Sequence, residues 1–305
     1  MFRVVLILAA SLLALLPAHA QERVRVVASF SILGDFVRNV GGDRVDIATL
    51  VGPGGDVHVY TPSPTDAKKV ADAKLLVVNG LGLEGWLPRL VQSSGSKATV
   101  VTATKGITPR DADGDDAHAG GGHAHDHGDG HADPHAWQSV ANAKTYVGNI
   151  RDALIAADPA GEAAYRTNAT AYLAKLDELD REVRDMAAKI PETKRKVIST
   201  HDAFGYFAAA YRIVFIAPQG VSTESEASAR DVAKIITQIR KDKVPAVFLE
   251  KVTDPRLMQR ISAETGAKIG GTLYSDSLTP ENGHAPTYID MVRHNIRTLT
   301  GALSG

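Results

Sequence analysis

Two spacings of apolar residues alternate along the chain. Residues 24–30 form a short β-rich run. Ile32, Phe36, Val37 and Val40 then recur at helical spacing until Gly41-Gly42 stops them. A second strand is predicted over 45–51, broken by Gly52-Pro53-Gly54-Gly55. Ser63-Pro64-Thr65-Asp66 reads as a helix cap with proline in the first turn, and a helix follows to about Ala73. Strands at 75–78 and 98–102 flank a helix at 83–92. Beyond them, 140–157 is helical and ends near Asp158-Pro159.

The longest periodic stretch runs over 163–190, with Tyr165, Ala169, Tyr172, Leu173, Leu176, Leu179, Val183, Met186 and Ile190 on one face. At 1.5 Å per residue such a helix spans about 40 Å, the width of a lobe. After Pro191 the alternation resumes: strands at 197–200, 213–217, 246–250 and 268–273, and helices at 203–210, 226–243, 255–265 and 288–303. Strand and helix in alternation predict α/β architecture with largely parallel sheets covered on both faces. The pattern divides into an N-terminal α/β lobe (21–158), one long linking helix (159–190) and a C-terminal α/β lobe (191–305).

Two stretches stand outside this pattern. Arg3 precedes an apolar run over 4–16, and Ala18-His19-Ala20 supplies small residues before Gln21. Residues 1–20 therefore read as a cleavable signal peptide, and the mature protein is expected in the periplasm. No cysteine follows the apolar run, so a lipoprotein anchor is not supported. The second stretch, 111–132, holds Asp111, Asp113, Asp115 and Asp116, then His118, His123, His125, His127 and His131 among Gly and Asp. It has almost nothing apolar to bury, so a flexible loop is expected, and its clustered imidazoles point to weak accessory metal binding.

Composition narrows the chemistry. Of 305 residues none is Cys, and the formal net charge is −1 with both signs interspersed. No nucleic-acid partner is indicated. Thiolate metal sites and cysteine nucleophiles are excluded together, and any metal must be held by nitrogen and oxygen.

Four candidates for that role follow predicted strands: His58 after 45–51, His135 after 98–102 and the tract, His201 directly after 197–200, and Asp276 after 268–273. Open α/β sheets place ligands at such carboxyl ends, so two lobes facing each other would gather all four in one cleft. Each residue alone has a plainer explanation: His58 as a turn residue, His201 as a hydrogen-bonded loop histidine beside Asp202, Asp276 as a turn or cap. The fourth position stays open between Asp276 and water. Three imidazoles and a carboxylate suit tetrahedral Zn(II) at Zn–N distances of about 2.0–2.1 Å, whereas manganese favours more oxygen. Four protein ligands leave no position for activating water, so an enzyme is not expected. Glu224, Glu226 and Glu250 remain unassigned acids, but no HExxH-like spacing accompanies them. Ligand histidines must be neutral, so affinity is expected to fall as pH drops through roughly 6–7. His284 and His294 carry no supporting spacing and read as surface residues.

Five motifs then align in order: Asp56-Val57-His58-Val59-Tyr60 with Pro62-Ser63-Pro64; Asn79-Gly80-Leu81-Gly82-Leu83-Glu84-Gly85-Trp86; Asp133-Pro134-His135-Ala136-Trp137; Thr200-His201-Asp202-Ala203-Phe204-Gly205-Tyr206-Phe207; and Leu273-Tyr274-Ser275-Asp276-Ser277-Leu278. Together they resemble the periplasmic metal-binding solute-binding proteins of ABC transporters (cluster A-I, the ZnuA/AztC type). The resemblance implies two α/β lobes bridged by a long helix, with metal held by His58, His135, His201 and Asp276. Zinc members are similar to this chain in carrying His at the third position, where manganese members carry Glu, and in the His-rich loop. The cysteine pair of some zinc relatives is absent. The implied function is high-affinity periplasmic zinc capture in the interlobe cleft and delivery to an ABC importer. The implied partners are its membrane permease and a periplasmic zinc metallochaperone, and a monomer is expected. A manganese-binding relative or a metal-dependent adhesin of the same fold is the alternative.

Overall fold

The run Val24–Phe30 forms the first strand, β1, and passes without a linker into helix α1 (Ser31–Gly41). The computed structural model describes residues 22–112 and 132–304. The expected signal peptide and the tract histidines His118, His123, His125, His127 and His131 lie outside the described residues. The first lobe continues with β2 (Val45–Val51), α2 (Pro64–Asp72), β3 (Leu75–Val78), α3 (Leu87–Ser94) and β4 (Thr99–Thr102). Its sheet has the order β2-β1-β3-β4, every pair parallel. Two-residue strands β5 (Arg110–Asp111) and β6 (Ala132–Asp133) pair antiparallel, and α4 (Val140–Ala157) follows.

Helix α5 (Glu162–Ala188) is the 27-residue connector. Its buried stripe Tyr165, Ala169, Tyr172, Leu176, Leu179, Val183 and Ala187 steps by three or four residues. The second lobe holds β7 (Lys196–Ile198), α6 (Gly205–Tyr211), β8 (Val214–Ile216), α7 (Ala229–Asp242), β9 (Ala246–Glu250), α8 (Arg256–Thr265), β10 (Lys268–Leu273) and α9 (Tyr288–Leu303). Its sheet, order β10-β9-β7-β8, is again wholly parallel. Among the described residues no helix is long and apolar enough to cross a membrane.

The two-lobed α/β architecture with parallel sheets and one long helix is the one the periodicity predicts. The core adds something the pattern could not convey. One continuous apolar cluster runs from Phe36 in the first lobe through Tyr172 on α5 to Tyr288 and Met291 on α9. Phe36 packs edge-on against Tyr288 at 4.8 Å between ring centres, and Asp35 Oδ2 accepts the Tyr288 N–H at 3.0 Å. Separating the lobes would expose several such side chains, each stabilising by roughly 2 kcal/mol. The lobes are therefore welded along α5, and large hinge opening is opposed.

Three local expectations shift. Helix α3 starts at Leu87 rather than 83, because Gly80, Leu81 and Gly82 all take positive φ (87°, 54° and 78°). Glu84 folds that turn back by accepting the N–H groups of Asn79 (2.6 Å) and Gly80 (3.2 Å). Helix α7 starts at Ala229, where the Ser228 hydroxyl caps the Asp231 N–H. The tract expected as a flexible loop from 111 to 132 is a ladder at both its ends, since Asp111 pairs with Ala132 and Arg110 with Asp133.

Candidate metal centre

Four loops at the facing edges of the two sheets bring the predicted side chains together. His58 sits in the Gly-rich segment between β2 and α2. Gly54, at φ +80°, donates its N–H to Leu278 O (2.9 Å) and Ser277 Oγ (2.7 Å), which pins that segment to the far lobe. The His58 N–H donates to Asp56 Oδ1 at 2.9 Å, and Thr223 of the second lobe donates its hydroxyl to Asp56 Oδ2 at 2.6 Å.

His135 follows β6 and opens a single 3-10 turn, Ala136–Gln138. Its segment is bonded on every side. Asn79 Nδ2 donates to Pro134 O (2.9 Å), while Trp137 Nε1 (2.9 Å) and Gln138 Nε2 (2.7 Å) both donate to Ser275 O, next to Asp276. His201 lies three residues past β7, where it forms an isolated parallel bridge with Gln219. The N–H groups of Thr200 and His201 converge on Glu250 Oε1 at 2.7 and 2.9 Å. Asp276 stands three residues past β10, in a wholly buried Ser-Asp-Ser triplet.

One ligand atom from each of His58, His135, His201 and Asp276 lies within 4.8 Å of all the others. His58 Nε2 and His135 Nε2 are 3.3 Å apart. The Asp276 carboxylate lies 3.1 Å from His201 Nε2, 3.4 Å from His135 Nε2 and 3.8 Å from His58 Nε2. A tetrahedral ion with metal–nitrogen distances of about 2.0–2.1 Å requires ligand–ligand edges of roughly 3.3 Å. The four contacts above, at 3.1–3.8 Å, lie close to that size. His201 Nε2 and Asp276 Oδ1 are buried with no hydrogen-bond partner, and Nε2 faces Asp276 Oδ2 at 3.1 Å, so a proton or a metal cation held there would satisfy the pair.

Carboxylates behind the rings fix which nitrogen faces inward. His135 Nδ1 bonds Asp133 Oδ1 at 2.9 Å, and Glu250 Oε2 lies 2.6 Å from His201 Nδ1. Each carboxylate favours a proton on Nδ1 and leaves Nε2 to bind metal. Charge is arranged unevenly across the cluster. Burial pulls His58 down to about 3, against the opposing pull of Asp276. Burial would also lower His201, but the Glu250 and Asp276 carboxylates raise it well above the ordinary value. Burial would raise Asp276, yet His201 and His135 hold its carboxyl well below the usual range. The metal-free cleft at neutral pH therefore carries neutral His58, protonated His201 and ionised Asp276.

All four predicted residues meet, and Asp276 contributes one atom to the cluster. The orienting roles of Asp133 and Glu250 were not assigned from sequence. Asp133 could have been found, two residues before His135 across a proline. Glu250 lies at the end of β9, and only the parallel pairing of β7 with β9 brings it beside His201. Glu224 and Glu226 are exposed and take no part. His284 is exposed as expected, but His294 is half-buried, donating its Nε2–H to Thr272 O (2.9 Å) and stacked at 5.9 Å on His284.

Comparison with known proteins agrees with this architecture. Residues 26–302 match the family profile ZnuA, "Zinc-uptake complex component A periplasmic". The chain is 35% identical to the manganese-binding lipoprotein MntA of Halalkalibacterium halodurans, over 93% of this chain and 89% of that protein. It is 34% identical to the iron-binding protein YfeA of Yersinia pestis, over 93% of this chain and 87% of that one. Among solved structures, the periplasmic zinc-binding protein TroA of Treponema pallidum superposes with a TM-score of 0.84 at 30% identity, covering 93% of this chain and 100% of that chain. These relatives are named for three different metals, so kinship fixes the fold and the general trade but not the ion. The chain belongs to the ZnuA family, the solute-binding components of metal ABC transporters, and that family is not one of enzymes.

Proposed function

We propose that the protein captures Zn(II) in the periplasm, binds it through His58, His135, His201 and Asp276, and delivers it to the membrane permease of an ABC importer. The observation that carries this reading is the donor set: three imidazole nitrogens and one carboxylate oxygen within 4.8 Å of one another. Manganese favours sites richer in oxygen, and zinc outranks both manganese and iron(II) for nitrogen donors. His201 is the deciding residue, since a carboxylate there would shift the balance toward the harder ions.

A manganese or iron reading draws on the names of the relatives at 34–35% identity. Competition decides between them. Protein purified from its native compartment is analysed for metal, then titrated with Zn(II) and Mn(II) against a calibrated chelator. Zinc is expected to be bound in one tight equivalent and to displace manganese. Native protein loaded with manganese or iron, and preferring it in competition, would overturn the zinc assignment.

The same reading gives the tract histidines, His118, His123, His125, His127 and His131, an accessory role. Weak sites close to a tight one raise the local metal concentration or receive metal from a periplasmic metallochaperone. Deleting 115–131 is expected to remove weak zinc equivalents and keep the tight one. The signal peptide at 1–20, the monomeric state and the lobe limits 21–158, 159–190 and 191–305 belong to this proposal as well.

A further inference from the structure

Asp133, whose carboxylate orients His135, is held at its backbone by a side chain from the other lobe. Tyr206 is buried in the first turn of α6, five residues beyond His201. Its hydroxyl donates to Asp133 O at 3.0 Å and accepts the Arg110 N–H at 3.0 Å. Arg110 and Asp133 are directly paired across the β5–β6 ladder. One phenol therefore fastens both strands of that pair at the same rung. The Arg110 guanidinium lies 5.9 Å from the centre of the Tyr206 ring and adds a cation–π contact. The neighbouring residue is Gly205 for a steric reason: a Cβ there would come within 2.6 Å of Asp133 Oδ2 and 3.3 Å of Arg110 Nε.

The fastening has a direct consequence for the ligand. Asp133 Oδ1 receives both the His135 N–H and its Nδ1, each at 2.9 Å. A two-residue ladder has little stability of its own. Without the phenol the Asp133 backbone would lose its anchor in the second lobe, and the carboxylate its fixed place under the ring. We infer that Tyr206 is a positioning residue for metal capture, acting through Asp133 to hold the His135 imidazole with Nδ1 protonated and Nε2 turned into the cleft. The inference rests on the reading of His135 as a metal ligand.

Tyr206→Phe keeps the ring, its packing and the cation–π contact and removes only the hydroxyl. The first measurement is the His135 tautomer in metal-free protein, read by long-range nitrogen–proton NMR of histidine-labelled protein. Wild type is expected to show a single Nδ1-protonated form and Tyr206→Phe a mixture. The second is Zn(II) affinity by chelator competition, expected to fall roughly tenfold, at the lower end of what loss of an orienting partner costs. Tyr211→Phe, which removes a 2.8 Å bond to Asp180 Oδ1 at the far end of the same helix, should change neither. In an Asp133→Asn background, adding Tyr206→Phe should cost nothing more, because both substitutions break one chain of contacts. A pure His135 Nδ1 tautomer in Tyr206→Phe, or a full extra loss of affinity on top of Asp133→Asn, would overturn the inference. Failure of wild type to bind Zn(II) tightly would instead strike the metal reading, while the tautomer comparison would still decide the role of Tyr206.

Discussion

His58 and His135 sit 3.3 Å apart at their Nε2 atoms, yet they are anchored in opposite ways. His135 is fully buried, backed by Asp133, and its segment bonds to Asn79, Ser275 and Tyr206 from both lobes. His58 stands on a glycine-rich loop whose next residue, Val59, is 50% exposed, and its backbone depends on Asp56, which in turn depends on Thr223. The core shared along α5 opposes wide opening of the lobes, so release of a bound ion is expected to begin at a loop. If the four residues hold metal as proposed, the contrast predicts that His58 leaves first and that His135 belongs to a rigid floor.

Removing each ligand gives the largest test of that contrast. His135→Ala deletes a floor ligand and leaves Asp133 buried without its partner. Affinity for Zn(II) is expected to fall on the order of 1,000-fold, about 4 kcal/mol. His58→Ala leaves a position at the loop that water can take, so a loss on the order of 30-fold is expected, about 2 kcal/mol. Chelator competition measures both. Equal losses would mean that the two ligands share one degree of order and the floor-and-gate division is wrong.

A step below these stand the orienting carboxylates. Asp133→Asn and Glu250→Gln each keep shape and lose charge, and each should lower affinity about 10- to 100-fold. Asp56→Asn, which meets His58 only through its backbone N–H, should cost less than either, by the same titration.

The difference between floor and gate also marks how far the sequence could be read. The candidate ligands His58, His201 and Asp276 were legible because each follows a strand of a parallel sheet, whereas His135 follows the antiparallel β5–β6 ladder and was marked by its Asp-Pro-His motif. Alternating strand and helix, with one uninterrupted stripe from Tyr165 to Ile190, gave the two lobes and their connector. The supports were not legible, because they are made by pairing between distant segments. Glu250 reaches His201 only through the β7–β9 ladder, Tyr206 meets Asp133 across the lobes, and Thr223 lies 167 positions from Asp56. Local pattern carries period and strand ends. It does not carry which loop leans on which.

Proton release separates the same two ligands in another way. Burial keeps His58 neutral down to about 3, so it gives up no proton when metal binds at neutral pH. His201, raised well above its ordinary value by Glu250 and Asp276, must lose its inward proton to the ion. Affinity should therefore fall about tenfold for each unit that pH drops, through the whole neutral range and not only below 6–7. Calorimetry in buffers of different ionisation enthalpy is expected to find about one proton released per ion at pH 7. No release would place His201 neutral in the metal-free cleft, and a second proton would implicate His58.

The smallest expected effect probes the gate alone. Thr223→Val removes the hydroxyl that steadies Asp56 from the far lobe and leaves every ligand and orienting carboxylate in place. A hydrogen bond to a partly exposed carboxylate contributes about 1 kcal/mol. If that bond steadies only the His58 loop, its loss should appear as zinc dissociation roughly fivefold faster in stopped-flow chelator chase, with melting of the metal-free protein shifted by no more than about 2 °C. Wild-type dissociation in this variant would mean that the loop is held by Gly54 and its bonds to Ser277 and Leu278 instead. The gate would then have to lie on the His58 side of Gly54, in the short segment between them.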